Sequence, residues 1–339
     1  MTDVLLEMLK KSIGIIGYRN HSKKLLQILN KDSQIKKILV YCYKDEIFLK
    51  LKEEKQTNKK ILYTNKLSDL KNLCHSIIIS SPSDTHFKYL KYFVKFDKYI
   101  FCEKPGCINI AQLKFISKLP KKIKSKIYFN YNLLHSNFYQ FIKNMKNSKK
   151  NMINMSYHSS TGIAFLKKFK NNWRFTSKEI LQRITGNWGV HSTNLAINIF
   201  GKLENSLISE TNISSKRKID TCSITLKFKN NKTANIFLSY AAPMSDEMTF
   251  FFKNKILKYK EGNVSEFSPR NFFDKKGLFK KPPKKNLNKL KGDMSNKSLE
   301  KSVKYFVGIS LKNGVFPLYL FNNAMETVKV FLNFDSQIK

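Results

Sequence analysis

The sequence has few acidic residues for its size. Its 339 residues include 24 Asp and Glu against 63 Lys and Arg, a formal net charge of +39. That charge suits a nucleic-acid-binding protein. The excess is mostly lysine, however, and it is spread along the chain together with many Asn and Ile, as in the products of A/T-rich genomes. We expect no nucleic-acid partner, with polyanion binding centred on residues 279–292 as the open alternative.

The sequence also lacks an obvious disulfide framework, a signal peptide and long apolar runs. Its five cysteines are odd in number, and only Cys102 and Cys107 stand close together, at a spacing that fits no common zinc or redox motif. The segment MTDVLLEMLKKS has acids inside its apolar stretch, unlike a signal peptide. No run reaches the roughly 18 apolar residues of a membrane span. We therefore expect a cytoplasmic protein without a metal site or a membrane partner.

Strands and helices alternate over about the first 130 residues. Strands are predicted at 12–17, 35–43, 76–83, 98–104 and 126–132, and helices at 21–29, 46–57, 86–96 and 110–119. This alternation indicates βαβ units and a parallel sheet. Because the strands are almost continuously apolar, both faces of that sheet should be covered.

The pattern changes after about residue 150. Apolar and polar residues alternate there with a period of two, which predicts an antiparallel sheet with one face in water. Helices are expected at 188–200, 298–311 and 317–334. The proline-broken basic segment 279–292 is the best candidate for a mobile loop.

The turn after the first predicted strand reads Gly17-Tyr18-Arg19-Asn20-His21-Ser22. A dinucleotide-binding fold usually has G-x-G-x-x-G there, because glycines bring the pyrophosphate close to a helix N-terminus. Only the first glycine is present, so a plain strand-to-helix turn is as consistent with these residues as a phosphate-binding turn. The Arg19 guanidinium offers one replacement contact for phosphate.

Two further turns lie at the carboxyl ends of predicted strands. The second strand ends at Tyr43 and Lys44, where an acid for the ribose of NAD is expected, so NADP is not excluded. Ser80, Ser81 and Pro82 end another strand, at the edge where open α/β sheets bind ligands. His86, at the start of the next helix, belongs either to this site or to the helix cap and packing.

Glu103-Lys104-Pro105 ends the strand at 98–104, at the same edge of the sheet. Pro105 ends the strand, so Lys104 should project from its carboxyl end. A lysine at this place suits stabilisation of a developing alkoxide.

Asn187 and His191 are four residues apart, which would put them on one face of a helix. Gly186 and Gly189 allow the backbone there to approach neighbouring elements closely. Histidine suits proton transfer to or from a hydroxyl near neutral pH. A purely structural role for His191 stays open on these residues alone.

In order and spacing, these segments resemble the motifs of the Gfo/Idh/MocA oxidoreductases, which include glucose–fructose oxidoreductase and inositol dehydrogenase. The matching segments are GYRNHS (17–22), SPSDTH (81–86), EKP (103–105), FNYNLLHSNFYQFIK (129–143), NNWRF (171–175) and NWGVHSTNLAINIFG (187–201). The resemblance thus covers most of residues 12–201.

The resemblance implies the α/β class: an N-terminal Rossmann domain with a doubly wound parallel sheet, and a C-terminal α+β domain with an open, mostly antiparallel sheet. We expect residues 1–130 to bind the dinucleotide and residues 131–339 to bind substrate and to oligomerise. Sheets of the second kind commonly pack face to face in the family's homo-oligomers.

The resemblance also implies NAD or NADP as cofactor and a sugar, cyclitol or nucleotide-sugar substrate, as in surface-polysaccharide synthesis. Lys104 would contact the nicotinamide ribose and the substrate hydroxyl, His191 would be the acid/base, and Asn187 would complete the catalytic set. The expected cofactor-binding residues are Gly17, Tyr18, Arg19, Asn20, Tyr43, Ser80, Ser81, Pro82, His86, Glu103 and Lys104. The expected substrate-binding residues are Asn132, Trp173, Arg174 and Asn194.

The sequence departs from the family pattern at several of these positions. Arg19 and Ser22 replace glycines of the phosphate turn, and Asn132 replaces a frequent arginine. Asn187 and Asn194 replace aspartates on either side of the histidine. Asparagine orients an imidazole but supplies no charge to it. The alternative is therefore a catalytically impaired member that binds a dinucleotide or a sugar.

Overall fold

The computed structural model describes residues 11–53, 60–145, 148–169, 177–215, 219–268, 273–290 and 296–338. The chain divides into two compact units. Unit 1 extends to Tyr131 and includes Glu300–Val328, and unit 2 comprises Asn132–Leu299 and the residues from Lys329 onward. Over the described ranges, no helix is both long and apolar enough to span a membrane.

A six-stranded parallel sheet forms the centre of unit 1. Its strands are β1 (Ser12–Ile16), β2 (Lys37–Tyr41), β3 (Ile61–Thr64), β4 (Ser76–Ile79), β5 (Tyr99–Glu103) and β6 (Ile127–Asn130). They lie in the order β3-β2-β1-β4-β5-β6, so the direction of winding reverses between β1 and β4. Every residue of β1, β4, β5 and β6 is buried. The predicted doubly wound parallel sheet with covered faces is confirmed.

The helices of unit 1 that connect these strands are α1 (Asn20–Asn30), α2 (Asp45–Glu53), α3 (Leu67–Leu73), α4 (His86–Phe93), α5 (Ile110–Ser117) and α6 (Lys121–Lys124). Strand β3 and helix α3 have no counterpart among the elements predicted from the sequence. Strand β3 is a four-residue edge strand whose Leu62 is exposed. Its apolar residues, Ile61 to Tyr63, form a short run between polar segments.

An eight-stranded sheet forms the centre of unit 2. Its strands are β7 (Met152–Ser160), β8 (Leu203–Thr211), β9 (Thr221–Phe228), β10 (Thr233–Ser239), β11 (Ser245–Phe252), β12 (Ile256–Lys260), β13 (Asn263–Phe267) and β14 (Lys284–Asn286). The order is β14-β13-β12-β11-β7-β10-β9-β8. Strand β7 is parallel to β10, and the other neighbouring pairs are antiparallel. The predicted open, mostly antiparallel sheet is confirmed.

Among the described residues of unit 2, four α-helices precede β8. Two come before β7, α7 (Asn137–Asn144) and α8 (Ser148–Asn151), and two follow it, α9 (Ile184–Asn187) and α10 (Gly189–Phe200). Helix α10 packs on one face of the sheet, since a Cβ added at Gly189 would lie 2.9 Å from Ile224 Cδ1. On the opposite face, Thr225, Asn235 and His158 alternate with buried neighbours and are exposed. One covered and one open face follow, as the period-two pattern predicts.

Part of the basic segment 279–292 differs from the expected loop. Lys284–Asn286 form the edge strand β14, which pairs antiparallel with β13. Its residues are exposed. Lysines on an exposed edge strand oppose pairing with another chain, which accounts for a lysine-rich strand at this position. Residues 291 and 292 lie outside the described ranges.

Two helices, α11 (Asn296–Ser310) and α12 (Leu318–Ile338), follow the second sheet, and part of each belongs to unit 1. The ring of Phe306 lies 5.4 Å from that of Phe101 in β5, and Phe316 lies 5.4 Å from Tyr128 in β6. The structure thus differs from the expected single cut into 1–130 and 131–339. Glu300–Val328 returns to unit 1 because its aromatic side chains bury one face of the parallel sheet.

Candidate active site

The turn after β1 has a geometry that only glycine fits. Gly17 has a φ of +114°, and a Cβ there would lie 2.9 Å from Ser22 Oγ and 3.0 Å from the Ser80 carbonyl oxygen. Helix α1 follows at once, with Arg19 at its N-cap and no side chain capping it. A tight turn that leads into an uncapped helix N-terminus fits the pyrophosphate of a dinucleotide.

Serines replace one of the missing glycine contacts. Ser22 stands at the third glycine position of the motif and is buried. Its hydroxyl donates to the Ser80 carbonyl oxygen over 3.2 Å, and the Ser80 hydroxyl donates to Ser22 Oγ over 2.9 Å. The start of α1 is thereby tied to the end of β4 by hydrogen bonds, so the small side chain keeps helix and sheet close.

His86 ties two of the motif turns together. Its Nδ1 lies 2.7 Å from the Pro105 carbonyl oxygen and its Nε2 lies 2.8 Å from the Ser81 carbonyl oxygen. The ring is buried, and burial lowers its pKa despite these two contacts. Both ring nitrogens are directed at backbone oxygens, so His86 holds the Ser81-Pro82 turn against Pro105.

A second histidine joins the phosphate turn, residues 17–22 after β1, to Glu103. His21 Nε2 lies 2.7 Å from Glu103 Oε1, which also accepts a 2.7 Å hydrogen bond from Asn130 Nδ2. The Ser302 hydroxyl donates to Asn130 Oδ1, and the Tyr128 hydroxyl lies 2.8 Å from Ser302 Oγ. The Glu103 carboxylate is thus the outer end of a buried polar chain.

The charges of this pair support each other. Burial opposes ionisation of Glu103, but the His21 charge, the bonds from His21 and Asn130 and the Lys104 charge outweigh it, so the carboxyl pKa lies below its usual value. The Glu103 carboxylate in turn raises the pKa of His21, against burial and the charges of Lys104 and Lys24. An ionised carboxylate is therefore fixed at the carboxyl end of β5.

Lys104 follows β5 directly and is partly buried. The Lys104–Pro105 peptide bond is cis. A Cβ added at Gly106 would lie 2.2 Å from the ring of Phe129, so this turn packs tightly on β6. The charge of Lys104 acts to lower the pKa of each of His21, Glu103 and His86.

The end of β2 offers aromatic and cationic groups to a ligand. Tyr43 is 61% exposed, and Lys44 Nζ lies 6.0 Å from the centre of its ring. Asp45 Oδ1 accepts a 3.0 Å hydrogen bond from Asn65 Nδ2. Tyr18, in the phosphate turn, makes an edge-to-face contact with Tyr63 of β3. The acid nearest to this strand end is therefore bound to an asparagine.

Asn187 and His191 belong to unit 2 and do not share one regular helix. Helix α9 ends at Asn187 and α10 begins at Gly189, with Trp188 between them. The expectation of one continuous helical face is wrong. Trp188 stacks on Tyr240 at 5.8 Å between ring centres, and Asn187 Nδ2 donates to the Tyr240 hydroxyl over 3.2 Å. Both contacts are with Tyr240, the residue that follows β10, and they accompany the break in the helix.

Close packing and a largely buried ion pair hold this segment in place. A Cβ added at Gly186 would lie 2.1 Å from Leu181 Cα, which confirms the expected close approach of backbone. Arg183 Nη1 lies 3.0 Å from Glu210 Oε2, and the Thr185 hydroxyl donates to Glu210 Oε1. Helix α9 is thereby fixed to β8. His191 lies in the first turn of α10, partly exposed.

The four expected substrate-binding residues fall in different places. Asn194 is 1% exposed, and its Oδ1 accepts from Asn198 over 3.1 Å, so this side chain takes part in packing within α10. Asn132 donates through Nδ2 to Ser298 Oγ over 2.9 Å. Trp173 and Arg174 lie outside the described residues.

Two residues with a place in these arrangements were missed by the sequence analysis. His21 stands inside the phosphate turn, where a titratable residue among expected glycines was the available signal. Tyr240 follows β10, about fifty positions after the residue it contacts, and no local pattern marks it.

The sequence matches two family models. Residues 11–131 match the model described as "Oxidoreductase family, NAD-binding Rossmann fold", and residues 150–256 match the "GFO/IDH/MocA C-terminal domain". No curated protein matches the sequence.

Several solved structures share the fold over nearly the whole chain. A protein assigned as an NADPH-dependent oxidoreductase from Desulfitobacterium hafniense has a TM-score of 0.78 at 13% identity, covering 97% of this chain and 96% of that one. A UDP-N-acetylglucosamine 3-dehydrogenase from Acidithiobacillus ferrooxidans has a TM-score of 0.71 at 10% identity, covering 97% and 99%. A dehydrogenase from Chromobacterium violaceum has a TM-score of 0.74 at 12% identity, covering 96% and 95%. At such identities the likeness shows the fold alone.

Proposed function

Because the chain belongs to the Gfo/Idh/MocA oxidoreductase family, whose N-terminal domain is an NAD-binding Rossmann fold, we propose that it is an NAD(P)-dependent dehydrogenase or reductase. The substrate is a sugar, a cyclitol or a nucleotide-sugar, and the reaction converts a hydroxyl carbon to a keto carbon or the reverse. A UDP-N-acetylglucosamine 3-dehydrogenase of the same fold is consistent with this substrate class, and we propose surface-polysaccharide synthesis as the setting.

One observation carries the proposal. The glycine turn after β1, the buried Glu103 carboxylate and the Lys104 side chain lie at one edge of the parallel sheet, and His21 connects the turn to Glu103 directly. This edge lies next to the reversal in strand order, where open α/β sheets bind their ligands. Gly17, where a Cβ would clash, fits a pyrophosphate, and the ionised Glu103 offers a hydrogen-bond acceptor to a sugar hydroxyl.

In the proposed reaction, each side chain acts through chemistry that it already has. A bound nicotinamide supplies the hydride acceptor or donor. The Lys104 ammonium stabilises the negative charge that develops on the substrate oxygen. His191 takes the hydroxyl proton at an imidazole nitrogen during oxidation and returns it during reduction. Asn187, hydrogen-bonded to Tyr240, offers its amide to substrate hydroxyls without adding charge beside the base.

The test is cofactor binding followed by turnover. The full chain should enhance the fluorescence of NADH or NADPH, and it should reduce NAD⁺ or NADP⁺ with some member of a panel of sugars, cyclitols and nucleotide-sugars. Lys104→Ala and His191→Ala should each lower turnover by about 100-fold or more. The exposed Lys114 provides a matched control, Lys114→Ala. Failure to bind either dinucleotide would refute the proposal.

A second candidate function is favoured by one specific observation. Asn187 stands where the family motif has an acid, and Arg19 and Ser22 replace two glycines. The alternative is a member that binds dinucleotide or sugar without turning it over. Cofactor binding without activity on the whole panel would favour it, and activity abolished by Lys104→Ala and His191→Ala would exclude it.

We also propose that the chain forms a homo-oligomer through the open face of the second sheet. Thr225, Asn235, Phe237 and His158 alternate along that face, and Phe237 is 37% exposed. Phe237→Lys should dissociate the oligomer in analytical ultracentrifugation.

The five cysteines are buried and unpaired, which is consistent with the reducing cytoplasm as the proposed compartment.

A further inference from the structure

An ion pair joins two segments that follow different strands of the parallel sheet. His21 belongs to the turn after β1, and Glu103 is the last residue of β5, with 2.7 Å between Nε2 and Oε1. Strand β4 lies between β1 and β5 in the sheet. The pair therefore crosses the carboxyl end of a neighbouring strand. The roles given above for the reaction make no use of His21.

The position of this pair is that of the dinucleotide in folds of this kind. The strand order reverses between β1 and β4, and dinucleotides bind outside the carboxyl ends of the strands at such a reversal. The pyrophosphate is bound at the N-terminus of the first helix, and His21 lies in the first turn of α1. The side chain of His21 is 47% exposed and that of Glu103 is 10% exposed, so a reachable imidazole is backed by a buried carboxylate.

The charged groups around His21 favour its protonated form. The Glu103 carboxylate at the end of β5 acts most strongly and raises the pKa of His21, while burial, Lys104 after β5 and Lys24 on α1 oppose it. An imidazolium at a helix N-terminus is unfavourable by itself, because the helix dipole is positive there. Glu103 offsets that cost, and the charge becomes useful when an anion arrives.

We propose that His21 is a positioning residue for the dinucleotide: its imidazole, held by Glu103, supplies the cation at the phosphate turn that replaces the contacts of the missing glycines. This rests on the proposed function, since unit 1 must bind a dinucleotide. Binding then takes up a proton at His21. Affinity is highest below the pKa of free His21, which lies above 6.5, and falls as the pH rises through the higher pKa of the complex.

Calorimetric titration of the full chain with NADH and with NADPH between pH 6 and pH 9.5 tests the proposal. Each unit by which the cofactor raises the pKa of His21 changes affinity tenfold between the two pH limits, and we expect about a five- to tenfold fall. In buffers of different ionisation enthalpy, the titrations should also report proton uptake. His21→Gln keeps a hydrogen-bond donor for Glu103 but no charge, so both the pH dependence and the proton uptake should disappear.

A side chain at position 21 that stays positively charged over most of this pH range should keep the affinity high and remove its pH dependence. His21→Lys should bind the dinucleotide tightly with little pH dependence up to about pH 9, which also guards against loss of binding through misfolding of one variant. Lys114→Gln, at an exposed position on α5, should leave the wild-type profile unchanged. His86 has its pKa lowered by burial and does not titrate in the upper part of this range.

The outcomes separate this inference from the proposed function. A flat wild-type profile, or a pH dependence that survives in His21→Gln, would overturn the role of His21 while leaving dinucleotide binding intact. Absence of binding to both dinucleotides at every pH would overturn the inference and the proposed function together.

Discussion

A single amide, Asn187, occupies a position where the family pattern has a carboxylate. Its Nδ2 donates to the Tyr240 hydroxyl over 3.2 Å, and the Tyr240 ring stacks on Trp188. The amide therefore keeps a defined orientation without contributing charge. Any histidine that depends on this neighbour for basicity has lost that support.

Replacing the amide by a carboxylate should change the proton chemistry more than the structure. In Asn187→Asp, the Tyr240 hydroxyl can donate to the new carboxylate, so the side chain stays in place. The added negative charge raises the pKa of a nearby imidazole. The acidic limb of the pH–rate profile for oxidation, which reports the neutral form of His191, should move up by about one unit. Steady-state kinetics between pH 5 and pH 10 measures the shift.

Tyr240→Phe is the matched variant for this prediction. It removes the hydroxyl that orients the amide but adds no charge, so it should lower kcat/KM without moving the acidic limb. An acidic limb that stays fixed in Asn187→Asp would mean that His191 is not the titrating base.

The residues that follow β2 lead to a separate prediction about the choice between NAD and NADP. Tyr43 and Lys44 stand there in place of an acid, and Asp45 is bound to Asn65. Because Tyr43 itself carries no negative charge, it does not repel the 2′-phosphate of NADP. Tyr43→Asp should therefore shift the ratio of affinities towards NADH by about tenfold, since like charges brought together are unfavourable. Fluorescence titrations with NADH and NADPH measure this ratio.

Lys44→Ala serves as the counterpart of that variant, because it removes the cation and adds no anion. It should weaken NADPH binding and leave NADH binding close to the wild-type value. If Tyr43→Asp lowered the affinities for NADH and NADPH equally, Tyr43 would pack against the adenosine without contacting the 2′-phosphate.

At the scale of elements, a largely buried ion pair fixes Arg183, the residue directly before the short helix α9, to Glu210 of β8. The side chains of Arg183 and Glu210 are 13% and 7% exposed, and their charged atoms lie 3.0 Å apart. Removing one partner of a buried pair leaves an uncompensated charge. Arg183→Met should therefore destabilise the protein by about 3–5 kcal/mol, as measured by urea unfolding.

An exposed ion pair in the same sheet is the control for Arg183→Met. Lys227 Nζ and Glu204 Oε1 lie 3.4 Å apart with both side chains well exposed, so Lys227→Met should change stability by less than about 1 kcal/mol. The double variant Arg183→Met with Glu210→Gln should recover part of the loss. If Arg183→Met were as mild as Lys227→Met, the pair would not be what fixes α9.

The elements that the sequence predicts well are those with strong local patterns. The buried runs of β1, β4, β5 and β6 and the alternating strands of the second sheet are identified by apolar periodicity. Strand β3 escapes because a four-residue edge strand needs no long apolar run. The break at Trp188 escapes for another reason: it accompanies contacts with Tyr240 and the close approach of Gly186 to Leu181, which are formed only in the folded chain.

The candidate site shows the same division. Motif spacing alone predicts that Gly17, Ser80 and Lys104 belong to the candidate site, because each follows a strand of a parallel sheet. The partnership of His21 with Glu103 spans 82 positions, and the bond from Ser302 to Asn130 spans 172. Such partners are brought together by topology and cannot be identified from one sequence.

At the scale of the whole molecule, the chain enters unit 1 twice. The first 131 residues form the parallel sheet, and Glu300–Val328 supplies rings that cover it. Phe306 is fully buried, and the Phe316 backbone donates to the Ser125 carbonyl oxygen over 2.8 Å. A fragment that ends at residue 131 lacks these side chains. It should therefore fail to fold stably on its own.

The division between the units falls inside α11 and inside α12, since Glu300 and Lys329 are interior residues of those helices. A continuous helix cannot unfold in one part without losing cooperative hydrogen bonds in the other. Phe306→Ala, a cavity variant in unit 1, should cost about 3–5 kcal/mol. Trp188 belongs to unit 2, so its fluorescence reports on the other unit.

We expect the urea midpoint from tryptophan fluorescence to fall in Phe306→Ala together with the midpoint from loss of NADPH binding, because the shared helices make unfolding a single transition. Tyr319→Ala on α12 removes a half-exposed ring and should shift neither midpoint appreciably. Separation of the two midpoints in Phe306→Ala would mean that unit 2 stays folded without unit 1. The helices would then break at the division, and the two units would be independent in energy although the chain passes between them more than once.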